Sequence, residues 1–419
     1  MSITERLDGG PLGAPARREF PQPDRSLPPP SDRAPRSAQG REFALITDRV
    51  QFEALEQEWI ALFARAGRPH QLFQTFDWLR HWTNHYLDHR TRLSIVIARH
   101  DGRLVMVWPL IAMRTVGFTR LCWMGEPVSQ YGDVLVEDGP ARIDLLRQGW
   151  AFVKSLDADV IHLRKTRRDA AVFPLLEYAG AVVTDFAAAP YLDLASAHDF
   201  EAYQRRYPAK RRARRRRLLR GLHEIGTVAF EHRAGGPAAR NLVGHALALK
   251  GKWLLARGVI APVLQDPRFG RFLRDVAAGG TGAAGIRLTA MCCNGKPAAI
   301  EVSLECKGHR VAYLISYDID LAKHGIGIIV AEHSIRTAHE QGLVRFDLLT
   351  PADAYKMDWA DGAVEVRDWA MPLSRAGRIY QCVWLCLARQ AMRSATKSSP
   401  VWLRRVVLGF YRRARLAGD

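Results

Sequence analysis

Two stretches near the start of the chain repeat apolar residues at helical spacing. FEALEQEWIALFARAG (52–67) and the aromatic-rich FQTFDWLRHWTNHYL (73–87) predict two helices, with Phe73, Trp78 and Trp82 packed in a core. The pattern then changes period. LSIVIARHDGRLVMVWPLIAMRTVGFTRLCWMG (93–125) predicts strand, Asp101-Gly102 turn, strand, turn around Gly117 and strand, because Asp-Gly supplies the positive φ angles of a tight hairpin. Residues 141–156 follow with a helical pattern, and DVIHLRKTRRDA (159–170) has that of a strand entering a polar loop.

The same order returns later in the chain. IRLTAMCCNGKPAAIEVSLECKGHRVAYLISYD (286–318) is strand, Asn294-Gly295 turn, strand, Lys307-Gly308 turn, strand. A loop, a helix from about Ile328 to Gln341 and the strand and polar loop of VRFDLLTPADA (344–354) complete it. A hairpin, meander, helix and strand met twice in one order predict two similar domains, 41–195 and 196–373, each α/β (α+β) with a mostly antiparallel meander sheet flanked by helices. Residues 1–40, rich in Pro, Arg, Gly and Ser, predict a disordered tail, and 374–419 predict basic amphipathic helices.

At 419 residues and 48% hydrophobic content the chain is long and apolar enough to bury a large core. No stretch approaches the ~18 uncharged apolar residues of a membrane span, and no apolar segment follows a basic start, so the expected location is cytoplasmic. The six cysteines lack zinc-site spacing, and buried reduced thiols are expected, with no metal. The formal charge of +18 is concentrated in two places: ten Lys or Arg and no acid between Arg205 and Arg220, and eight and no acid between Arg389 and Arg415. The first segment should be helical over Arg211 to Leu222, with Leu218, Leu219 and Leu222 as an apolar stripe, and any anionic partner should be sought at these two places. In the second, 401–416 places Trp402, Leu403, Val406, Val407 and Phe410 on one helical face. That pattern suits either the anionic inner face of a membrane or docking on the chain's own domain.

The chemistry gathers in the second half. In YDIDLAKHGIGIIVAEHSIRTAHEQG (317–342) a strand ends at Tyr317, and Lys323, His324, Gly325 and Gly327 precede a helix, a pattern suited to cradling a phosphate or to a tight capped turn. Asp347 interrupts its strand as either a general base or a cap for the following loop. Glu301 faces oppositely to Ile300 and Val302, as either a base or a solvent-facing strand residue. Lys356 is placed to pair with Asp347 or to bind acceptor or donor phosphate, while Trp359 reads as packing.

Taken together, PHQLFQTFDWLRHW, the DG meander, RRARRRRLLRGLHEIG, YDIDLAKHGIGIIVAEHSI and GLVRFDLLTPADAYKMDW resemble the CelD-like branch of the GNAT acyltransferases, related to the FemAB aminoacyltransferases. The resemblance implies a tandem GNAT fold in which an acyl-CoA, or in FemAB relatives an aminoacyl-tRNA, donates to an amine or hydroxyl, often in connection with cellulose or exopolysaccharide production. It places the donor pyrophosphate at Ala322 to Gly327. Both glycines of the family's loop are present there, but Ala322 stands where the family has Gln or Arg. It further implies backbone N–H groups around Ile315 to Tyr317 beside the thioester carbonyl, and Tyr355 as acid for the departing thiolate. Tyr131 and Asp133 would face the cleft between the domains as acceptor-binding residues. Three readings follow: an acyl-CoA-dependent acyltransferase, an aminoacyl-tRNA-dependent transferase suggested by the arginine cluster, and an inactive scaffold bound to membrane or a polysaccharide-synthase complex, suggested by Ala322.

Overall fold

The computed structural model describes residues 40–115, 117–279 and 282–388. The expected N-terminal tail and the 401–416 helix lie outside these. Strands of the first half are β1 (Arg41–Ile46), β2 (Thr91–Leu93), β3 (Ile95–His100), β4 (Arg103–Trp108), β5 (Leu110–Thr115), β6 (Phe118–Trp123), β7 (Leu135–Val136), β8 (Val160–Arg167) and β9 (Val182–Asp193). Those of the second are β10 (Val228–Arg233), β11 (Gly285–Cys293), β12 (Lys296–Cys306), β13 (His309–Tyr317), β14 (Arg345–Asp347) and β15 (Gly362–Pro372). Asp101-Gly102, Asn294-Gly295 and Lys307-Gly308 all hold positive φ at both positions, as two-residue hairpin turns demand.

The two halves repeat one pairing scheme. In the first, β1–β3, β3–β4 and β5–β6 are antiparallel and β6–β8 is parallel; in the second, β10–β11, β11–β12 and β12–β13 are antiparallel and β13–β14 is parallel. The first half differs in one respect. Its second meander strand breaks at Pro109, which has no N–H for a ladder, so β4 joins a four-stranded sheet and β5 the large one.

Each half ends on a strand that pairs with the other. β9 lies antiparallel to β14, and β15 lies antiparallel to β8, with β9 and β15 paired along their length between them. The result is one continuous sheet of order β10-β11-β12-β13-β14-β9-β15-β8-β6-β5-β2. A boundary at residue 195 follows β9 in sequence, yet among the described residues β9 pairs only with second-half strands.

The core crosses the same seam. Trp78 packs edge-on against Phe272 at 5.0 Å and Tyr313 at 5.6 Å, and Phe73, Trp78 and Trp82 are all buried. Polar contacts reinforce it. Lys307 Nζ, on a second-half hairpin turn, donates to the carbonyls of Phe63 and Ala64 at 2.9 and 3.0 Å, placing a cation at the C-terminus of the first-half helix Glu56–Ala66. Arg167 on β8 pairs with Asp347 on β14 at 2.6 Å, and the Tyr131 hydroxyl donates to the same carboxylate at 2.9 Å. Arg167 also lies over the Tyr131 ring, 4.8 Å from its centroid.

Two outcomes follow. Calorimetry of the full chain should show one cooperative unfolding transition for both halves, and fragments 41–195 and 196–373 expressed apart should remain unfolded; two resolved transitions would contradict the exchange. Arg167→Ala should lower unfolding free energy by ~3–5 kcal/mol in a denaturant titration, because it leaves the buried Asp347 without its cation.

Candidate active site

Strands β13 and β14 pair only over His309–Val311 and Arg345–Asp347. Beyond this the strands part: β13 continues to Tyr317, whereas the Leu348 N–H turns to the Pro190 carbonyl at the end of β9, 2.8 Å away. Leu349 adopts a positive φ of 59°, and its N–H donates to Asp347 Oδ1 at 2.7 Å, which directs the chain into the loop before Tyr355. The gap is roofed by the helix Ile326–Glu340, and a small cavity of about 20 Å³ lies there, with room for about one water. Ile315, Ile328, Ala331, Phe346 and Leu348 supply its apolar wall, and Glu301, Tyr355 and Lys356 its polar groups.

Glu301 is wholly buried, which overturns the solvent-facing expectation. The reason is that both faces of β12 are covered, one by the helix Pro237–Arg257 and the other by Ile326–Glu340. Ser334 Oγ donates to Glu301 Oε1 at 2.7 Å, while Oε2 has no hydrogen-bond partner. Burial pushes this carboxyl up to about 7, against the opposing influence of Ser334 and the Arg310 guanidinium. Tyr355, on the short helix Ala354–Met357, lines the same cavity as Glu301. Its phenol is raised, first by burial and then by Asp353, so it stays protonated at neutral pH. Lys356 Nζ donates to the Leu349 carbonyl at 3.0 Å.

Of its two readings, Asp347 takes that of holding the following loop, through the Leu349 N–H. Its carboxylate accepts from Arg167, Tyr131 and the Leu349 N–H, so it joins the halves and shapes the loop, and Lys356 is not needed to neutralise it. Tyr131 and Asp133 are likewise buried, not open to a cleft. Asp133 accepts from Gln71 Nε2 at 2.7 Å and from the N–H groups of Ala171 and Val172 at 2.9 and 3.2 Å, which ties the loop after β8 in place. Their loop fills the gap where β6 and β8 part. Lys165 Nζ donates to Gln130 Oε1 at 2.9 Å, and Gly132 lies so close to Trp123 that a Cβ there would fall 2.1 Å from its ring. The first half therefore has its strand opening plugged by its own chain, and the open one belongs to the second half.

At the glycine loop, a 3-10 turn Ile319–His324 leads into the helix Ile326–Glu340 through Gly325, whose φ of 66° and ψ of 29° are left-handed. No side chain caps the helix there, which leaves first-turn N–H groups for an anion. Gly325 has a second reason to lack a side chain, since a Cβ would lie 2.7 Å from Leu218 Cδ1 on the basic helix Ala209–Ile225. Gly327 is buried inside the helix, His324 half-buried and Lys323 exposed. Ile315 and Tyr317 sit on the parted stretch of β13. The Ile315 carbonyl accepts from the buried Lys250 at 3.2 Å, and the Tyr317 hydroxyl accepts from Trp253 at 2.7 Å.

The basic helix divides its charges. Arg215 is buried between Tyr207 and Trp359, 4.4 and 3.9 Å from their rings, and reaches Glu332 at 3.3 Å. Arg211 pairs with Asp358 and Arg206 with Asp361, so these three brace the chain just beyond Tyr355. Lys210, Arg214, Arg216, Arg217 and Arg220 are exposed. Among residues not singled out from the sequence, Ser334, Arg310 and Lys250 shape the site. Ser334 was readable in principle, as a polar residue in the buried row Ile326, Val330, Ser334. No group of three metal-ligating side chains occurs among the described residues.

The description "Acetyltransferase (GNAT) domain" belongs to the family model that matches residues 209–357, which takes in the basic helix, β10 to β14 and Tyr355. No curated protein matches the chain. Among solved structures, FemX superposes with a TM-score of 0.55 at 10% identity, covering 82% of this chain and 99% of FemX. A conserved protein of unknown function from Bacteroides thetaiotaomicron VPI-5482 gives 0.49 at 9% identity, with coverage of 78% and 100%. A tandem GNAT protein from the clavulanic acid biosynthesis pathway gives 0.46 at 16% identity, with coverage of 80% and 99%. At such identities the likeness to FemX shows a shared fold alone. Residues 209–357 thus match the GNAT acetyltransferase domain model, and the chain as a whole shares the fold of FemX, with one pairing scheme repeated in its two halves.

Proposed function

We propose that the chain transfers an acyl group from acyl-CoA to an amine or hydroxyl acceptor, with the chemistry in the second half. The observation that carries this is Glu301, a buried carboxyl with one unpartnered oxygen, in the cavity where β13 and β14 part. In this reading the donor's pyrophosphate rests on Lys323 to Gly327 and its thioester lies along the parted β13 near Ile315 to Tyr317. The acceptor heteroatom attacks the carbonyl and its proton passes to Glu301. As the tetrahedral intermediate collapses, the C–S bond breaks and the thiolate takes the Tyr355 proton. Lys356, with its ammonium held at the Leu349 carbonyl, keeps the Tyr355 loop in place. Amino sugars and polysaccharide precursors are the first acceptors to screen, given the CelD-like resemblance.

A second reading, transfer from aminoacyl-tRNA, draws support from the exposed arginines of the helix that contacts Gly325 through Leu218. The two donors separate by binding. Acyl-CoA at about 100 times its dissociation constant should stabilise the protein by ~2.7 kcal/mol, seen as a raised melting midpoint. Lys323→Glu should weaken that shift without disturbing the fold, because Lys323 is exposed. No shift with any CoA species, together with salt-sensitive tRNA binding, would transfer the reading to tRNA.

The pH dependence carries a sign. With Glu301 at about 7, kcat/KM should rise as pH increases through that value and level off above it, because only the carboxylate accepts a proton. Glu301→Gln should abolish the rising limb and cut kcat by ~10²–10⁴-fold. The same group makes the folded state hold its proton longer than the unfolded chain. Its contribution to stability should therefore fall as pH rises from 4.5 to about 7, and this fall should vanish in the Gln variant.

A further inference from the structure

The last described segment is helical, one α-helical stretch Arg375–Ile379 running into π-type turns Tyr380–Ala388. It is anchored on one side. Leu385 packs with Val160 and Ala370 on the large sheet, Tyr380 meets Phe118 at 4.6 Å between ring centroids, and Gln381 is buried. The other side presents Ile379, Val383, Trp384 and Leu387, exposed by 66, 55, 42 and 67% respectively. Their spacing of four, one and three residues keeps them on one face of a helix wound with more than four residues per turn. Four large side chains left uncovered by the described residues on one helix face constitute a patch, whereas scattered single ones would need no explanation.

The charge around this face selects its partner. Arg375 and Arg378 are exposed on the same helix. In sequence the helix is followed at once by Arg389, the first of eight Lys or Arg with no acid through Arg415. An acidic protein groove would satisfy the charge, but a broad apolar face bearing a Trp beside the exposed Arg375 and Arg378 suits a surface that is apolar below and anionic above. A second copy of the chain would bring the same cations face to face. Among the described residues no helix is long and apolar enough to cross a membrane, so the contact would be peripheral.

We propose that the face formed by Ile379, Val383, Trp384 and Leu387 docks on an anionic lipid surface, with the exposed Arg375 and Arg378 at its headgroups. This face is built on β8, β15 and β6, away from the parted strands β13 and β14, so docking leaves the candidate active site free of lipid. The proposal stands independently of which donor the site uses.

The test is co-sedimentation of the full chain with vesicles of phosphatidylcholine alone and of phosphatidylcholine mixed with phosphatidylglycerol. Binding should be strong only to the anionic vesicles and should weaken as salt is raised. The double variant Ile379→Ser, Leu387→Ser should bind them at least about tenfold more weakly while melting at the parent's temperature, since these are the two most exposed side chains of the face. Equal binding by parent and variant would overturn the proposal, leaving any lipid contact to the basic sequence alone. Absence of binding to either vesicle would overturn it as well. So would sedimentation of the lipid-free parent as a dimer that the double variant dissolves, which would assign the face to a second copy.

Discussion

The hydrogen bonds of β9 and β15 are the constraint on which the molecule depends. Each is the closing strand of one half, and each pairs with the other half, β9 with β14 and β15 with β8. Backbone groups buried in the middle of an eleven-stranded sheet must be paired, so neither half can withdraw its strand without leaving an unsatisfied ladder in its partner. The halves are thus two copies of one pattern but one unit of folding, with the aromatic contacts of Trp78 and the ion pair Arg167–Asp347 laid across the same seam.

That exchange also makes the site. Because β14 is held by β9 and is only three residues long, it leaves β13 after Val311, and the following Leu348 and Leu349 are drawn towards β9 and into a left-handed turn. The opening this creates is what receives Glu301 from below, the helix Ile326–Glu340 from above and Tyr355 from the side. The corresponding opening in the first half exists as well, since β6 and β8 pair over only two residues, but Ser129 to Asp133 fill it. The repeated scheme gives two openings, and a single loop fills the first of them.

Buried charge is distributed unevenly between the two. Asp347 is surrounded by a guanidinium, a phenol and an amide N–H, a set that satisfies a carboxylate and leaves nothing over for chemistry. Glu301 keeps one oxygen without a partner, and burial raises its proton affinity into the physiological range against the pull of Ser334, Arg310 and Ser303. The basic helix shows the same division, with Arg211 absorbed by Asp358 and Arg215 by Glu332 and the Trp359 ring, while Lys210, Arg214, Arg216, Arg217 and Arg220 face outward.

Local chemistry determined much of this without help from the fold. The Asp-Gly, Asn-Gly and Lys-Gly turns, the meanders between them, the repeated order of elements, the buried aromatic helix and the helical basic segment were all legible, because turn backbone and hydrophobic period depend on residues within a few positions of one another. The resemblance carried by the glycine loop and its neighbours pointed to the GNAT domain whose model matches residues 209–357. Sequence left Glu301 and Asp347 as equals and put Tyr131 and Asp133 at a binding cleft. Only the tertiary structure separated them, since burial and partners depend on what long-range pairing brings near: Arg167 lies 180 residues before Asp347, and Ser334 reaches Glu301 from a helix across the sheet. The exchange of β9 and β15 was equally invisible from the chain alone, because a strand's pattern states which face is buried but not which neighbour supplies its hydrogen bonds.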